Sequence, residues 1–215
     1  MDLDKSEKSS IYVDGQELDN VTEYEYLGVR IRNDGLISPE IRRRLTMALT
    51  NIKRFEKLWK SVHVELKLKV IRTCIFPTAI YGCEAWTINK MEEKMINAFE
   101  MKCYRKILRI PWTAKETNSS VLQRIGVRPC NLLNKIKKQK LQYFGHIKRH
   151  DCMEKLFLEG MVNGKRGKGR PRKRWQQNIT EWLGEDTTTA GRRAEERTVF
   201  RTTVWKATSH RDMPA

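Results

Sequence analysis

Three sets of side chains in this 215-residue sequence have types that could do chemistry: its aspartates, a histidine–cysteine group, and the run GKRGKGRPRKRW at 164–175. Metal-dependent nucleotidyl transfer needs two or three carboxylates converging on paired Mg²⁺ ions, which clamp the attacking and leaving oxygens. The aspartates stand at 2, 4, 14, 19, 34, 151, 186 and 212, with no two adjacent. Only Asp14 and Asp34 fall near β-prone stretches, and both sit in turn signals. Glu92 and Glu93 are neighbours, but adjacent helical positions diverge by about 100°, so both read as solvated charges. A glycine-rich phosphate loop, a His–Glu pair and a nucleophile elbow are all missing. His146 and His150 are spaced i, i+4, with Cys152 two residues on and Cys130 at the start of the same stretch. These are zinc-ligand types, yet the usual CxxC knuckle is absent, and a histidine ending a basic helix also suits the negative end of its dipole. No catalytic residue, metal or cofactor is expected.

The basic run says more. Seven of the ten residues 165–174 are Lys or Arg, with no acid among them. Pro171 disfavours the α region for Arg170, so Gly169–Arg170–Pro171 reads as an extended core. Lys165, Arg166, Lys168, Arg172, Lys173 and Arg174 surround that core with charge. An extended arginine can enter a narrow minor groove while its neighbours touch phosphates, in the manner of an AT-hook. Here Lys168 replaces the arginine usual before the core glycine. The competing reading is a nuclear-import signal. Trp175 could stack on a base, but as the start of an amphipathic helix it is expected to pack.

Charge over the whole chain points the same way. The formal net charge is +17 and the isoelectric point about 9.8, which favours a polyanionic partner, DNA or RNA before an anionic membrane. No apolar run is long enough for a transmembrane helix, and MDLDKSEKSS lacks a signal-peptide core. The expected location is nuclear or cytoplasmic, with no membrane partner and no small-molecule substrate. Five cysteines at 74, 83, 103, 130 and 152 are odd in number and irregular in spacing, so reduced thiols are expected.

The elements that must position these residues are mostly helical. Asp14–Gly15 within IYVDGQEL predicts a tight type I′ turn. YEYLGVRIRNDG alternates from Tyr24 to Arg32 before a turn at Asn33–Asp34–Gly35. Ser38, Pro39 and Glu40 then suit a helix start. Ile41, Leu45, Ala48, Ile52, Phe55 and Leu58 form an apolar stripe over 38–61, and Arg42, Arg43 and Arg44 fall on the basic side. A second helix runs from about Glu65 and is kinked or divided at Pro77. A third runs from Asn89 with Met91, Met95, Phe99, Cys103 and Ile107 on one side, until Pro111. A short helix covers 119–125. A long one covers 130–149, with Leu133, Ile136, Leu141, Phe144 and Ile147 inward and Lys135, Lys137, Lys138, Lys140 and Lys148 outward. Helices over 175–183 and 194–205 follow. Tyr81, Trp86, Trp112, Tyr143 and Phe144 read as core or junction aromatics.

In order, YEYLGVRIRNDG, EIRRRL, IYGCEAWTINK, INAFEMKCYRKILRI, LQYFGHIKRH and GKRGKGRPRKRW resemble the C-terminal part of the reverse transcriptase of LINE-type, non-LTR retrotransposons. The resemblance spans roughly residues 10–183. It implies that Tyr26–Leu27–Gly28 correspond to the last palm strands, where that family positions the primer end. The helices from Ser38 onward would correspond to the thumb and beyond, which hold the template–primer duplex. The catalytic aspartates of the family lie upstream of the YLG segment, so the resemblance implies a fragment without polymerase activity.

The expected organisation is therefore mainly α: a disordered start (1–10), a β hairpin (11–35), a helical thumb-like domain (36–160), a flexible AT-hook-like basic arm (161–175), and short helices with a tail (176–215). The expected function is noncatalytic binding of nucleic acid. The nucleic-acid contacts are assigned to Lys165, Arg166, Lys168, Gly169, Arg170, Pro171, Arg172, Lys173, Arg174, Arg42, Arg43 and Arg44. The alternatives are a helical protein-interaction module whose basic run serves only nuclear import, and a thumb supplied in trans to a separate palm.

Overall fold

The computed structural model describes residues 12–55, 59, 62–127, 131–160 and 172–209. The N-terminal β region holds two hairpins where one was expected. Strands β1 (Tyr12–Val13) and β2 (Gln16–Glu17) pair antiparallel around Asp14 and Gly15, whose φ of 51° and 78° are the positive values that an Asp–Gly turn supplies. The stretch 24–32 is not one alternating strand. It folds back on itself as β3 (Glu23–Tyr26) and β4 (Val29–Arg32), in register Tyr26↔Val29 and Glu23↔Arg32. The turn is Leu27–Gly28, with φ of 48° and 76°. Glycine takes that conformation freely, but leucine there costs about 1–2 kcal/mol, so the turn needs support from elsewhere.

The long helix α1 (Ser38–Phe55) buries Ile41, Leu45, Ala48 and Ile52 as its stripe demands. Trp59 is buried beyond it, and its ring stacks on Phe55 with centroids 6.3 Å apart. Leu58 and Lys57 lie outside the described residues. Helix α2 (Val64–Val70) continues through a π-helical turn (Ile71–Ile75) into α3 (Phe76–Ala79). Pro77 lacks an N–H, and the widened turn just before it absorbs the missing bond without dividing the helix.

A turn at Gly82 leads through Cys83–Ala85 to α4 (Lys90–Leu108). Asn89 caps α4: its side-chain oxygen accepts from the N–H groups of Met91 at 2.7 Å and Glu92 at 3.3 Å, and Glu92 reaches back to the Asn89 N–H. The buried face of α4 is Ile96, Phe99, Cys103, Tyr104 and Ile107, whereas Met91 is exposed. Glu100 is buried on the same face, accepting from Tyr104 Oη at 2.8 Å and from the N–H of Leu132 at 3.2 Å. Burial pushes its carboxyl above the ordinary range. Helix α5 (Asn118–Ile125) runs from a Thr117 cap to Gly126.

The remaining helices are α6 (Asn131–Arg149), α7 (Met153–Leu158), α8 (Trp175–Leu183), α9 (Thr187–Glu195) and α10 (Arg197–Thr208). The expected helix over 194–205 is thus two helices broken at Glu196. Three threonines and a glycine made α9 a poor helix former on propensity. Its start is nonetheless marked by Asp186, which accepts from the N–H groups of Thr188 and Thr189.

The described residues form a mainly α fold with two adjoining cores. The larger packs α1 to α5 and the start of α6 around Ile41, Ile75, Trp86, Ile96 and Leu132. The smaller joins the rest of α6 to α8, α9 and α10 through Leu141, Phe144, Ile179, Ala190, Ala194, Phe200 and Val204. Small residues set that second contact. A Cβ on Gly145 of α6 would come within 2.7 Å of the Phe200 ring, so α10 lies directly against the backbone of α6.

Candidate nucleic-acid interface

The arginine triplet on α1 divides into two fates. Arg42 is exposed. Arg43 and Arg44, expected with it among the nucleic-acid contacts, instead turn onto the molecule. Arg43 bonds both oxygens of Glu40, at 2.7 and 2.8 Å, and Arg44 bonds Glu40 Oε1 at 2.9 Å. Both guanidinium groups also donate to the Gly28 carbonyl, Arg43 at 2.6 Å. Arg44 lies 4.5 Å over the Tyr81 ring, whose hydroxyl donates to the Leu27 carbonyl at 3.0 Å. These bonds hold the carbonyls of the turn whose conformation leucine resists. Burial would raise the Glu40 carboxyl, but the bonds from Arg43 and Arg44 hold it below its usual range. Glu25 on β3 also acts on Arg43, so the two guanidinium groups face two carboxylates here. The tip is apolar: Tyr26 and Leu27 are both exposed, and Tyr81, expected in the core, is half exposed.

Of the basic arm, Lys165, Arg166, Lys168, Gly169, Arg170 and Pro171 lie outside the described residues. Arg172, Lys173 and Arg174 are described. Arg172 donates to the Asp34 carbonyl, in the turn that follows β4. Lys173 donates to the Ile88 carbonyl at 3.0 Å and pairs with Glu181 at 2.6 Å. The Arg174 N–H donates to Gln177 at 2.7 Å, opening α8. The described end of the arm is therefore held beside the end of the second hairpin and the residue before the α4 cap.

Lys140 is the largest departure on α6. Expected outward, it is fully buried where the two cores meet. Its ammonium donates to the Trp86 carbonyl at 2.6 Å and to Asn178 Oδ1 at 2.8 Å. The Trp175 and Trp182 rings flank it at 4.7 and 5.5 Å. Asn178 completes the clasp, accepting from the Ile88 N–H at 2.8 Å and donating to the Ile88 carbonyl at 2.6 Å. Trp175 packs as expected, with its indole N–H on the Glu84 carbonyl at 2.7 Å. Burial, with the nearby Lys173 charge, pushes the Lys140 ammonium down to about 7. Helical periodicity gave no warning, because Lys140 lies next to the apolar face and its long stem can reach inward. The paired indoles on α8 are the only sequence signal for such a partner.

Of the other cations expected outward on α6, Lys135 and Lys138 are exposed, Lys137 lies over Trp182 at 5.5 Å, and Lys148 pairs with Glu159 at 3.1 Å. His146 and His150 lie with ring centroids 4.3 Å apart and planes tilted by 42°, Cys152 is half-buried, and Cys130 lies outside the described residues. Among the described residues, no group of three or more His, Cys, Asp or Glu is placed to hold a metal ion. Among them, too, no helix is long and apolar enough to cross a membrane. What the arrangement offers chemically is cationic surface and hydrogen-bond donors.

No protein-family model matches the chain, and no solved structure is significantly similar to it. The chain is 29% identical over 171 residues to an uncharacterised transposon-derived protein of Caenorhabditis elegans, a match covering 76% of this chain and 61% of that protein. It therefore spans about three fifths of that relative's length. The similarity supports a transposon-related origin for the chain.

Proposed function

We propose that the chain is a noncatalytic nucleic-acid-binding remnant of a non-LTR retrotransposon reverse transcriptase, in which the helical body acts as a thumb. The observation that carries this reading is the anchoring of Arg172 on the turn that follows β4. It holds the described end of the basic arm on the segment that leads from β4 into α1, the helix that carries the exposed Arg42. Duplex or single strand would be held by phosphate contacts from Arg42, Lys135, Lys138 and the arm. The resemblance to the transposon-derived nematode protein agrees with that descent.

A second reading is favoured by a different observation. The hairpins expose Tyr12, Val13, Tyr24, Tyr26 and Ile31, and a cleft of about 740 Å³ beneath them is lined by Val29, Leu36, Pro77 and Trp86, a surface suited to another protein. One experiment separates the two. Binding to a duplex oligonucleotide is titrated against salt for the full chain and for a variant with Lys165, Arg166, Lys168, Arg170, Arg172, Lys173 and Arg174 changed to Ala. Phosphate-dominated binding gives log K falling with log salt by about 0.9 per neutralised phosphate, with a shallower slope in the variant. A flat salt response in the full chain removes the nucleic-acid reading. An unchanged slope in the variant leaves the arm only its import role.

A further inference from the structure

Another cleft runs along α6 from Lys138 to Arg149 and has no assigned role. It encloses about 560 Å³ between α6 and α10. Lys138, His146 and Arg149 stand on its α6 wall, Arg197, Arg201 and Trp205 on its α10 wall, and Phe200 and Val204 form the floor. Two features of the sequence create it. Residues 197, 201 and 205 recur every fourth position, so they line one side of α10 at about 6 Å of axial rise per step. Gly145, by admitting the Phe200 ring against the α6 backbone, brings the two cationic rows close together.

The charge in this cleft is not neutralised from within. Arg43 and Arg44 are compensated by Glu40, and Arg193 by Glu185. Among the described residues, Lys138, Arg197 and Arg201 have no ion pair, and no carboxylate lines the cleft. Arg149 is fixed by its bond to the Ala194 carbonyl at 2.7 Å, which ties α9 to α6 and keeps the wall in place. Such convergence of unpaired cations repels itself and is relieved by an anion. One turn beyond Arg201 the Trp205 indole is 65% exposed, an unusual place for so large an apolar ring.

We infer that this cleft binds one unpaired nucleotide of a single-stranded nucleic acid, its phosphate on the cations that line the cleft and its base on the Trp205 ring. Cations following the backbone beside an aromatic platform are the arrangement by which single strands are held without sequence preference. A duplex would satisfy the cations but not the indole, because its bases are already stacked. The inference rests on the nucleic-acid reading above and adds to it a strand class and a place.

The test measures binding of labelled oligo(dT), oligo(rU) and a blunt duplex to the full chain, to Trp205→Ala, to Trp205→Phe and to Arg197→Ala/Arg201→Ala, with circular dichroism confirming helix content. Trp205→Ala is expected to weaken single-strand binding about tenfold and duplex binding less than about twofold, with Trp205→Phe retaining most of the affinity. The double arginine variant should lower the single-strand salt slope by about 0.7, the share of one phosphate. The two oligonucleotides show whether the strand is DNA or RNA. Equal losses on single strand and duplex, or an unchanged single-strand affinity in Trp205→Ala, would overturn this inference while leaving the general proposal standing. If the unaltered chain binds none of the three at low salt, both fall together.

Discussion

Arg43 and Arg44 on α1 and Arg197 and Arg201 on α10 share a side chain and differ in everything around it. The first pair is folded inward, bonded to Glu40 and the Gly28 carbonyl, with Arg44 almost fully buried. The second pair stands exposed along a cleft with no acid in its lining. One pair spends its charge on the shape of a turn; the other leaves it available to a ligand. The lesson is that a basic triplet in sequence does not by itself mark a binding surface. What decides is whether a carboxylate three or four residues away, as Glu40 is, comes with it.

The comparison breaks most visibly at Glu40. Glu40→Ala leaves two guanidinium groups against the body without their carboxylate, and removing one partner of a buried pair costs about 3 kcal/mol. Urea unfolding should show that loss. The sign of the accompanying pH effect is fixed by the lowered Glu40 carboxyl: stability from this group is present above the ordinary glutamate range and is lost as pH falls through the lower folded value. The variant should therefore lose less stability on acidification than the parent. If Glu40→Ala unfolds at the parent's urea midpoint, the inward pair has no structural role.

The same contrast explains how far the fold could be read from residue order. Apolar spacing and end signals marked most helices within a few residues, because Asn89 and Gly126 act locally; Ser38, expected as a cap, is the first residue inside α1. The hairpin at Leu27–Gly28 was hidden, since leucine gives no turn signal and its left-handed conformation depends on Tyr81, 54 residues away. Lys140 was hidden for the same reason: its acceptors come from residues 86 and 178, and only the completed fold assembles them. Of the candidate site, the basic arm was legible as composition. The α6–α10 cleft was not, because α9 looked too poor in helix formers to separate Glu196 from the preceding turn, and the register of α10 follows from that break.

Lys140 sharpens the contrast as a third case, a cation buried without any carboxylate. Its folded value near 7 lies below the 10.5 of a free lysine, so above pH 7 the unfolded chain binds more protons than the folded one. Stability contributed through this group therefore rises with pH across that interval. Between pH 7 and about 8, below the range where free cysteine thiols titrate, the rise is up to about 1 kcal/mol. Lys140→Met should flatten that part of the profile relative to the parent, measured by thermal unfolding at each pH. An identical slope in the two proteins would mean that Lys140 stays charged in its clasp.

The smallest expected effect is the most discriminating. Arg197→Ala/Arg201→Ala removes two exposed side chains that have no ion-pair partner among the described residues, and surface changes of this kind stay within about 0.5 kcal/mol. Easing the repulsion between neighbouring cations can even add slightly to stability, since i, i+4 like charges oppose helix formation. Urea unfolding of the double variant should thus match the parent closely, in contrast with the loss from Glu40→Ala. A loss of 2 kcal/mol or more (roughly the scale of a buried contact) would show that the α10 arginines, like those on α1, hold the molecule together, and the difference between the two pairs would disappear. A near-zero change alongside weakened single-strand binding is the pattern of charge kept for a ligand, because a residue whose interactions are all with a missing partner leaves the free protein's stability untouched.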